Sequence, residues 1–390
     1  MDPLKNPFSP GAGSPPPELA GRQPILDRAR IALGRIRNGK SEKSFLMVGL
    51  RGVGKTVLLN EIQKLAEAEG YKSVLIEAHE NKSLAALLLP PLRQILFTLD
   101  RMESVSEKVK RGLRVLKSFF NGMKVKVHDI ELSLDVDPET GSADSGDLEA
   151  DLPVLLEAVA EAASDRKIAV AIILDELQYL SENELSALIM AIHKIAQKQL
   201  PLILIGAGLP QLVALSGRSK SYAERLFDFP QIGPLEKKDA IDALQEPMKE
   251  QKTKFSEDAI EEVLKKTKGY PYFLQEWGYQ SWNLASSSPI DLKTVKKATD
   301  VSIQRLDESF FRVRFDRLTK REKEYLRALA DFGNGAHRSG DIAEELGVKP
   351  QSIAPIRNSL IKKGMIYSPT YGDTEFTVPL FDEFMKRAMP

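Results

Sequence analysis

The sequence contains no cysteine, which excludes a disulfide framework, a zinc–thiolate site and a thiol nucleophile. Histidine is scarce as well, and its four copies show no metal-ligand spacing: His79, His128, His193 and His337. No apolar run approaches the ~20 residues that a membrane-spanning helix requires, and the first residues lack the apolar segment of a signal peptide. We therefore expect a soluble cytoplasmic protein with no membrane partner.

An excess of either charge is also lacking, since 55 Lys and Arg residues balance 55 Asp and Glu residues. Such a balance is not typical of a strongly basic nucleic-acid binder, so any contact of that kind must come from a local basic patch. The length of 390 residues is enough for two or three domains with ample core.

What the sequence does contain is a glycine-rich segment, residues 49–56, that fits the pattern G-x-x-x-x-G-K-[ST]. An apolar run at 45–48 precedes this segment and a helical pattern follows it, which predicts a strand, a glycine loop and a helix. In that arrangement the N–H groups of the loop and the helix N-terminus bind phosphate oxygens. We predict that Lys55 reaches the β- and γ-phosphates in binding and catalysis, and that Thr56 ligates Mg²⁺. The nucleotide-binding residues predicted here are Gly49, Leu50, Arg51, Gly52, Val53, Gly54, Lys55, Thr56 and Val57.

A second informative segment is an apolar, β-branched run, residues 168–174, that ends at Asp175 and Glu176. An unbroken apolar run suits a central parallel strand that is buried on both faces. Two carboxylates at its end are costly to bury unless they are paired or bind a metal ion. We predict that Asp175 holds the Mg²⁺ shell and that Glu176 polarises the attacking water. The alternative is a strand that simply ends in a charged turn.

The order of apolar runs predicts the fold class. Such runs alternate with helical patterns from residue 40 to residue 235, which predicts an α/β fold with a P-loop and a doubly wound parallel sheet. Ligands of these sheets bind at the carboxyl ends of the strands. Residues 49–56, 175–176 and 206–208 all follow predicted strands, so we expect them to meet at one edge of the sheet.

Composition shifts divide the chain into four predicted segments. Residues 1–18 are rich in proline and glycine and predict an extended arm. Residues 19–235 form the nucleotide-binding core, and the helical patterns of residues 236–311 predict a lid. Residues 312–390 are predicted to form a separate C-terminal domain.

Three local patterns within these segments carry further predictions. Apolar and polar residues nearly alternate from 125 to 136, which predicts a half-buried strand or hairpin. The acidic tract that follows completes an insertion at about 123–147 and predicts a mobile surface loop, with a partner-binding insertion as the alternative. The pattern at 83–101 predicts a helix interrupted by Pro90 and Pro91, and the pattern at 237–251 predicts one continuous helix.

Residues 19–286 resemble an AAA+ ATPase, specifically the STAND-like group that includes archaeal, transposition and origin-recognition ATPases. Gly21 and Arg22 resemble the G-R box near the adenine, and Pro271 belongs to a segment similar to the G-x-P motif of the lid. Arg225 falls where such proteins carry an arginine finger for a neighbouring subunit; Arg218 is its competitor, and a surface salt bridge is the alternative role. The resemblance implies ATP with Mg²⁺ and a homo-oligomer in the ATP-bound state, although no residue excludes GTP.

Two departures from this family pattern bear on the rate of hydrolysis. Residues 206–208, where a polar side chain usually orients water, are Gly, Ala and Gly. Tyr272 and Phe273 stand where many lids carry an arginine. Each missing side chain would have stabilised the transition state by about 3 kcal/mol. Slow turnover is therefore predicted.

Residues 312–390 resemble a winged helix-turn-helix domain, with helices at 319–330, 339–346 and 351–363 and two wing strands after them. Polar residues at the start of a recognition helix read bases, and nearby cations bind phosphates. Pro355 stands where a base-reading side chain often sits, and it is expected to distort the first turns of that helix. The predicted DNA contacts are Lys349, Gln351, Ser352, Arg357, Asn358 and Lys362.

The sequence thus predicts an ATP-binding, slowly hydrolysing ATPase that couples nucleotide state to DNA binding through a C-terminal winged helix. The first alternative is a regulatory or signalling switch whose winged helix binds a protein partner. The second is a nucleotide-binding scaffold that does not usefully hydrolyse ATP.

Overall fold

The computed structural model describes residues 1–11, 13–102, 105–123 and 136–390. Its centre is a five-stranded, entirely parallel sheet in the order β2-β3-β4-β1-β5. The three central strands are buried on both faces, which explains their unbroken apolar sequences. The α/β prediction is confirmed. The strands are β1 (Ser44–Val48), β2 (Lys72–Glu77), β3 (Val170–Asp175), β4 (Leu202–Gly208) and β5 (Phe227–Asp228).

Helices cover both faces of this sheet, and alternate residues of each strand serve the two cores. Phe45 and Met47 of β1 pack with the first two helices, whereas Leu46 and Val48 face a core shared with the next four. The helices are α1 (Gln23–Arg37), α2 (Lys55–Ala68), α3 (Leu84–Asp100), α4 (Glu107–Met123), α5 (Leu148–Asp165), α6 (Glu182–Gln197), α7 (Gln211–Ser219) and α8 (Ala223–Leu226).

Residues after the sheet form a helical cluster that ends in a π-helical segment, Leu306–Phe311. The prediction of one continuous helix at 237–251 was wrong, because Pro247 lacks an N–H donor and residues 246–251 form a 3₁₀ helix instead. The α-helices of this cluster are α9 (Lys237–Gln245), α10 (Glu257–Thr267), α11 (Pro271–Leu284) and α12 (Leu292–Arg305), and α13 (Arg312–Asp316) follows the π-helical segment as the first helix of the C-terminal region.

The C-terminal residues form helices around a small antiparallel sheet in the order β6-β8-β7. Phe311, at the end of the π-helical segment, stacks on Phe384 with ring centroids 5.3 Å apart. The helical cluster and the C-terminal residues thus share one hydrophobic core. The elements are α14 (Lys320–Asp331), β6 (His337–Arg338), α15 (Ser339–Glu345), α16 (Pro350–Lys362), β7 (Ile366–Tyr367), β8 (Asp373–Phe376) and α17 (Phe381–Ala388).

Two further local predictions need correction. Helix α3 is not interrupted at Pro90 and Pro91, because eight of its residues are buried and their packing outweighs the lost hydrogen bonds. Residues 136–147 lie mostly at the surface, as predicted, but they are also held to α4: Ser118 donates to the carbonyl of Glu139 at 2.9 Å, and Ala143 is buried.

The strand or hairpin predicted at 125–136 lies, apart from Val136, outside the described residues. Among the residues that the structure describes, no helix has the length and apolarity to cross a bilayer.

Candidate nucleotide-binding site

The glycine-rich segment forms a tight loop between β1 and α2. A methyl group on Gly49 would lie 2.1 Å from the carbonyl oxygen of Ile232, so only glycine fits there. Gly54 caps α2 with a φ of 92°, a left-handed conformation that side chains disfavour. The first N–H groups of α2 therefore face the space above the loop, which suits an anion.

Lys55 opens α2, and its ammonium group folds back over the loop. The Nζ atom donates hydrogen bonds to the carbonyl oxygens of Gly49 and Leu50, both at 2.8 Å. Burial lowers the pKa of Lys55 to about 8, against the opposing effect of the nearby Glu176 and Asp175 carboxylates. A charge held by two carbonyl oxygens can exchange them for the stronger acceptor oxygens of a phosphate.

Thr56 and Asp175 are brought together by the parallel arrangement of β1 and β3. The Thr56 hydroxyl donates to Asp175 Oδ2 at 2.5 Å, and the Glu176 N–H donates to Oδ1 at 2.7 Å. Burial raises the pKa of Asp175, so its ionised form is costly without a cation. Within the described ranges no three His, Asp or Glu residues form a metal cluster. A hydroxyl and one carboxylate fit Mg²⁺, which commonly keeps waters and takes its other ligands from phosphates.

Glu176 follows β3 in a left-handed conformation, with a φ of 54°. Its carboxylate is engaged from two sides, because Arg51 Nη1 lies 3.3 Å from Oε1 and the Gln178 amide donates to Oε2. Arg51 also donates to the Tyr179 hydroxyl at 3.0 Å. Burial opposes the charge of Arg51, but Glu176 and Tyr179 raise its pKa overall.

Gln178 is a site residue that the sequence reasoning missed. Its Oε1 accepts a hydrogen bond from the N–H of Leu209 at 3.0 Å, just beyond β4. A methyl group on Gly208 would lie 3.1 Å from that same oxygen, so the glycine makes room for the amide. A polar group therefore does stand at the end of β4, and it comes from the short 3₁₀ helix that follows β3, Leu177–Tyr179. The signal was an amide residue two positions after Glu176.

These groups open into one cavity of about 540 Å³ between the sheet edge and the helical cluster. Its apolar lining includes Ala20, Leu235, Ala243 and Pro271. Its polar end is lined by residues of the loop, by Glu176 and by Arg314 of α13, which the sequence reasoning also missed.

The G-R box holds the loop in place. The Arg22 guanidinium donates to the carbonyl oxygens of Val53 at 3.0 Å and Gly233 at 2.6 Å. Burial lowers the pKa of Arg22, and the nearby Asp239 carboxylate partly offsets this effect. Gly21 does not line the cavity but packs against Asp239, where a methyl group would lie 2.5 Å from a carboxylate oxygen.

The N-terminal arm covers part of this cavity. Phe8 is buried against Gly278 of α11, and the Ser9 N–H donates to Gln275 Oε1 at 3.0 Å. Residues 9–11 and 13–14 then line the cavity, with Gly13 beside the Thr56 methyl group. No sequence pattern indicated this docking, because an arm rich in proline carries no periodicity.

The remaining predicted residues lie elsewhere. Arg225 is exposed on α8 and does not line the cavity. Arg357 is half-buried and donates to Ser368 Oγ at 2.7 Å, Thr374 Oγ1 at 3.1 Å and the Asp373 carbonyl at 2.9 Å, which ties α16 to the β7–β8 hairpin. The other predicted DNA contacts are exposed on or next to α16: Lys349, Gln351, Ser352, Asn358 and Lys362.

Comparisons with known proteins agree with this geometry. Residues 18–205 match the AAA ATPase domain family, and residues 308–385 match a domain family of unknown function. No curated protein matches the sequence significantly.

Solved structures resemble the whole chain. The Walker-type ATPase paby2304 of Pyrococcus abyssi aligns with a TM-score of 0.54 at 17% identity, over 94% of this chain and 96% of that one. Cdc6p of Pyrobaculum aerophilum aligns with a TM-score of 0.49 at 15% identity, over 100% of this chain and 99% of that one. The first likeness supports the fold, and the match of residues 18–205 to the AAA ATPase domain family supports an AAA+ P-loop ATPase domain in that part of the chain.

Proposed function

We propose that the protein binds ATP with Mg²⁺ in this cavity, hydrolyses it slowly, and couples the nucleotide state to DNA binding through residues 312–390. The observation that carries the proposal is the cavity itself, which joins the phosphate-binding loop, Glu176, the helical cluster and Arg314 in one wall. A ligand in that position would contact both the phosphate-binding loop and the start of residues 312–390, through Val313 and Arg314.

Different residues would bind the phosphates, Mg²⁺ and the purine. The loop N–H groups and Lys55 hold the phosphates, and Thr56 with Asp175 would hold Mg²⁺. Mg²⁺ supplies charge neutralisation on the phosphate oxygens. The purine would pack against apolar lining residues, Ala20, Leu235, Ala243 and Pro271.

Glu176 is the proposed general base that accepts a proton from the attacking water. Gln178 donates to one carboxylate oxygen of Glu176 and fixes its orientation, while Arg51 contacts the other oxygen. The Arg51 contact competes with the attacking water and therefore supports slow turnover. Arg225, exposed on α8, is proposed to act on the nucleotide of an adjacent protomer, and Arg218 at the end of α7 remains its competitor.

The order of elements in residues 320–388, helix, strand, two helices, two strands and a helix, supports a winged-helix assignment. The exposed polar and basic residues of α16 would then face DNA: Lys349, Gln351, Ser352, Asn358 and Lys362. Arg357 is assigned to the wing, because its guanidinium donors are already used there.

One observation favours a protein partner as the second candidate. Val348 beside α16 and Tyr371 at the tip of the β7–β8 hairpin are exposed apolar side chains, with Tyr371 fully so. Apolar groups at an exposed tip suit a protein interface as well as a nucleic acid.

Calorimetric titration and phosphate release test the ATP site. Lys55→Ala should lose ATP binding, because it removes the cation of the loop, whereas Glu176→Gln should bind ATP normally and release no phosphate. Equal ATP affinity in wild type and Lys55→Ala would disprove the site, and normal phosphate release from Glu176→Gln would disprove the base.

A further inference from the structure

Arg314 is a cation of the cavity wall without a carboxylate partner. In the described part of the chain it forms no ion pair, and its Nη1 donates only to the carbonyl oxygen of Phe310 at 2.5 Å. The guanidinium also lies over the Phe310 ring, 4.1 Å from its centroid. A half-buried guanidinium with one carbonyl acceptor has donors to spare for an anion.

Arg314 lies at the polar end of the cavity, close to Arg51. Burial, and then the nearby Arg51 cation, lower the pKa of Arg314 to about 10, and the Tyr179 hydroxyl is a further electrostatic neighbour. Arg51 and Tyr179 are the residues that surround Glu176. Two guanidinium groups, those of Arg51 and Arg314, therefore stand near each other, and an anion that entered there would be stabilised.

We propose that Arg314 binds the terminal phosphate of ATP, and that it supplies from α13 the cation that Tyr272 and Phe273 do not supply from α11. The inference rests on the proposed ATP site and adds a residue to it. The terminal phosphate is the chosen target because Glu176, whose water attacks that phosphate, marks this end of the cavity.

A continuous set of contacts connects this residue to the loop. The Tyr272 N–H donates to the carbonyl oxygen of Gly52 at 3.2 Å, and the Tyr272 ring stacks on Phe310 at 4.8 Å. Phe310 in turn contacts Arg314 and belongs to the π-helical segment, whose widened turn is a geometry found often at functional sites. Ser309 and Val313 line the cavity beside them.

The same segment leads directly into the C-terminal residues. Phe311 follows Phe310 and stacks on Phe384 of α17. A phosphate that draws Arg314 toward the loop therefore acts on the helix that begins the C-terminal region, whereas a nucleotide without that phosphate does not. Arg314 would thus distinguish ATP from ADP.

The test compares ATP and ADP affinities by calorimetry, with the Glu176→Gln substitution present throughout to prevent hydrolysis. Arg314→Ala and Arg314→Gln should each weaken ATP binding about 10- to 100-fold, the range for loss of one charge-assisted hydrogen bond, while ADP affinity changes less than about 2-fold. Arg312→Ala is the matched control, because Arg312 lies on the same helix, is exposed and pairs with Asp316. It should change neither affinity.

Unchanged ATP affinity in both Arg314 variants would overturn the inference, as would an equal loss of ATP and ADP binding in both. These outcomes differ from failure of the ATP site itself, in which Lys55→Ala would bind ATP as well as the wild type. Retained ADP binding in the Arg314 variants reports that the site is folded.

Discussion

Single contacts at Glu176 decide how fast the proposed reaction can run. The carboxylate accepts from Arg51 and from Gln178, and Gln178 is fixed in turn by the Leu209 N–H. The amide is therefore proposed as a positioning residue, which would orient the Glu176 carboxylate as the base but would not itself take the proton.

Gln178→Ala should lower the rate constant of ATP hydrolysis about 10- to 100-fold, because the base loses its orientation, with ATP affinity changed less than about 2-fold. Single-turnover phosphate release and ATP titration measure the two quantities. The control is Gln199→Ala, an exposed glutamine after α6. A loss of ATP affinity equal to the loss of rate would contradict the assignment.

The environment of Glu322 in α14 predicts how the stability of the fold depends on pH. Burial alone would raise the pKa of Glu322, but hydrogen bonds from Lys363, Ser359 and Thr319 lower it to about 2, from 4.5. The folded pKa is the lower one, so the stabilisation is present above the unfolded pKa and is lost as the pH falls from about 5 toward 2.

Glu322→Gln should therefore lower stability at pH 7 by about 1–3 kcal/mol, the range for a hydrogen-bonded charge, and should flatten the loss of stability below pH 5. The midpoint of urea unfolding, measured from pH 7 to pH 3, checks this. Glu324→Gln on the same helix should have little effect. If the stability of wild type and of Glu322→Gln falls in parallel with pH, the ionised Glu322 does not supply the stabilisation that is lost below pH 5.

At the scale of elements, the sequence was most informative where one face of a pattern is buried. The parallel strands and the helices on both faces follow their apolar periodicity, and the phosphate loop follows from its glycines. The course of α3 through two prolines and the docking of the N-terminal arm could not be predicted, because both depend on tertiary packing. Arg314 was missed for a related reason, since it reaches the site from α13, far along the chain from the sequence motifs. Gln178 stands only two positions after Glu176, but its contact with the Leu209 N–H depends on how β4 ends beside it.

Helix α16 carries the prediction for DNA. Lys349→Ala with Lys362→Ala should weaken DNA binding at every sequence and reduce the slope of log affinity against log salt by about 2, because two phosphate contacts are lost. Both side chains are exposed, so folding should not change. Fluorescence anisotropy across a salt series measures the slope, and an unaltered slope would assign α16 to another partner.

Arg357→Ala is the informative comparison for that pair. Its guanidinium makes three hydrogen bonds to the β7–β8 hairpin, so this change should lower the unfolding midpoint as well as DNA affinity. Loss of DNA affinity at an unchanged unfolding midpoint would instead place Arg357 among the direct contacts.

At the scale of the whole molecule, the helical cluster and the C-terminal region pack as one core, and the cavity lies between that core and the sheet. Nucleotide bound there would contact both bodies, so its presence could set their relative position. Arg225, exposed on α8, is the residue proposed to complete the site of a neighbouring protomer.

Arg225→Ala should leave ATP affinity near normal and lower hydrolysis by about 100-fold or more, the effect of losing an arginine finger. Added Glu176→Gln subunits, which keep their own Arg225, should partly restore hydrolysis. Arg218→Ala serves as the comparison. Hydrolysis per subunit that does not depend on protein concentration would contradict a contribution from a neighbouring protomer.

The most direct measurement of the central claim is a DNA titration of Glu176→Gln protein with ATP and Mg²⁺, with ADP, and without nucleotide, read by fluorescence anisotropy at fixed salt. Coupling predicts the tightest binding and the steepest salt dependence with ATP, because assembled protomers present several C-terminal regions together. Lys55→Ala protein should show no response to ATP. Identical DNA affinity in all three nucleotide conditions would contradict the account.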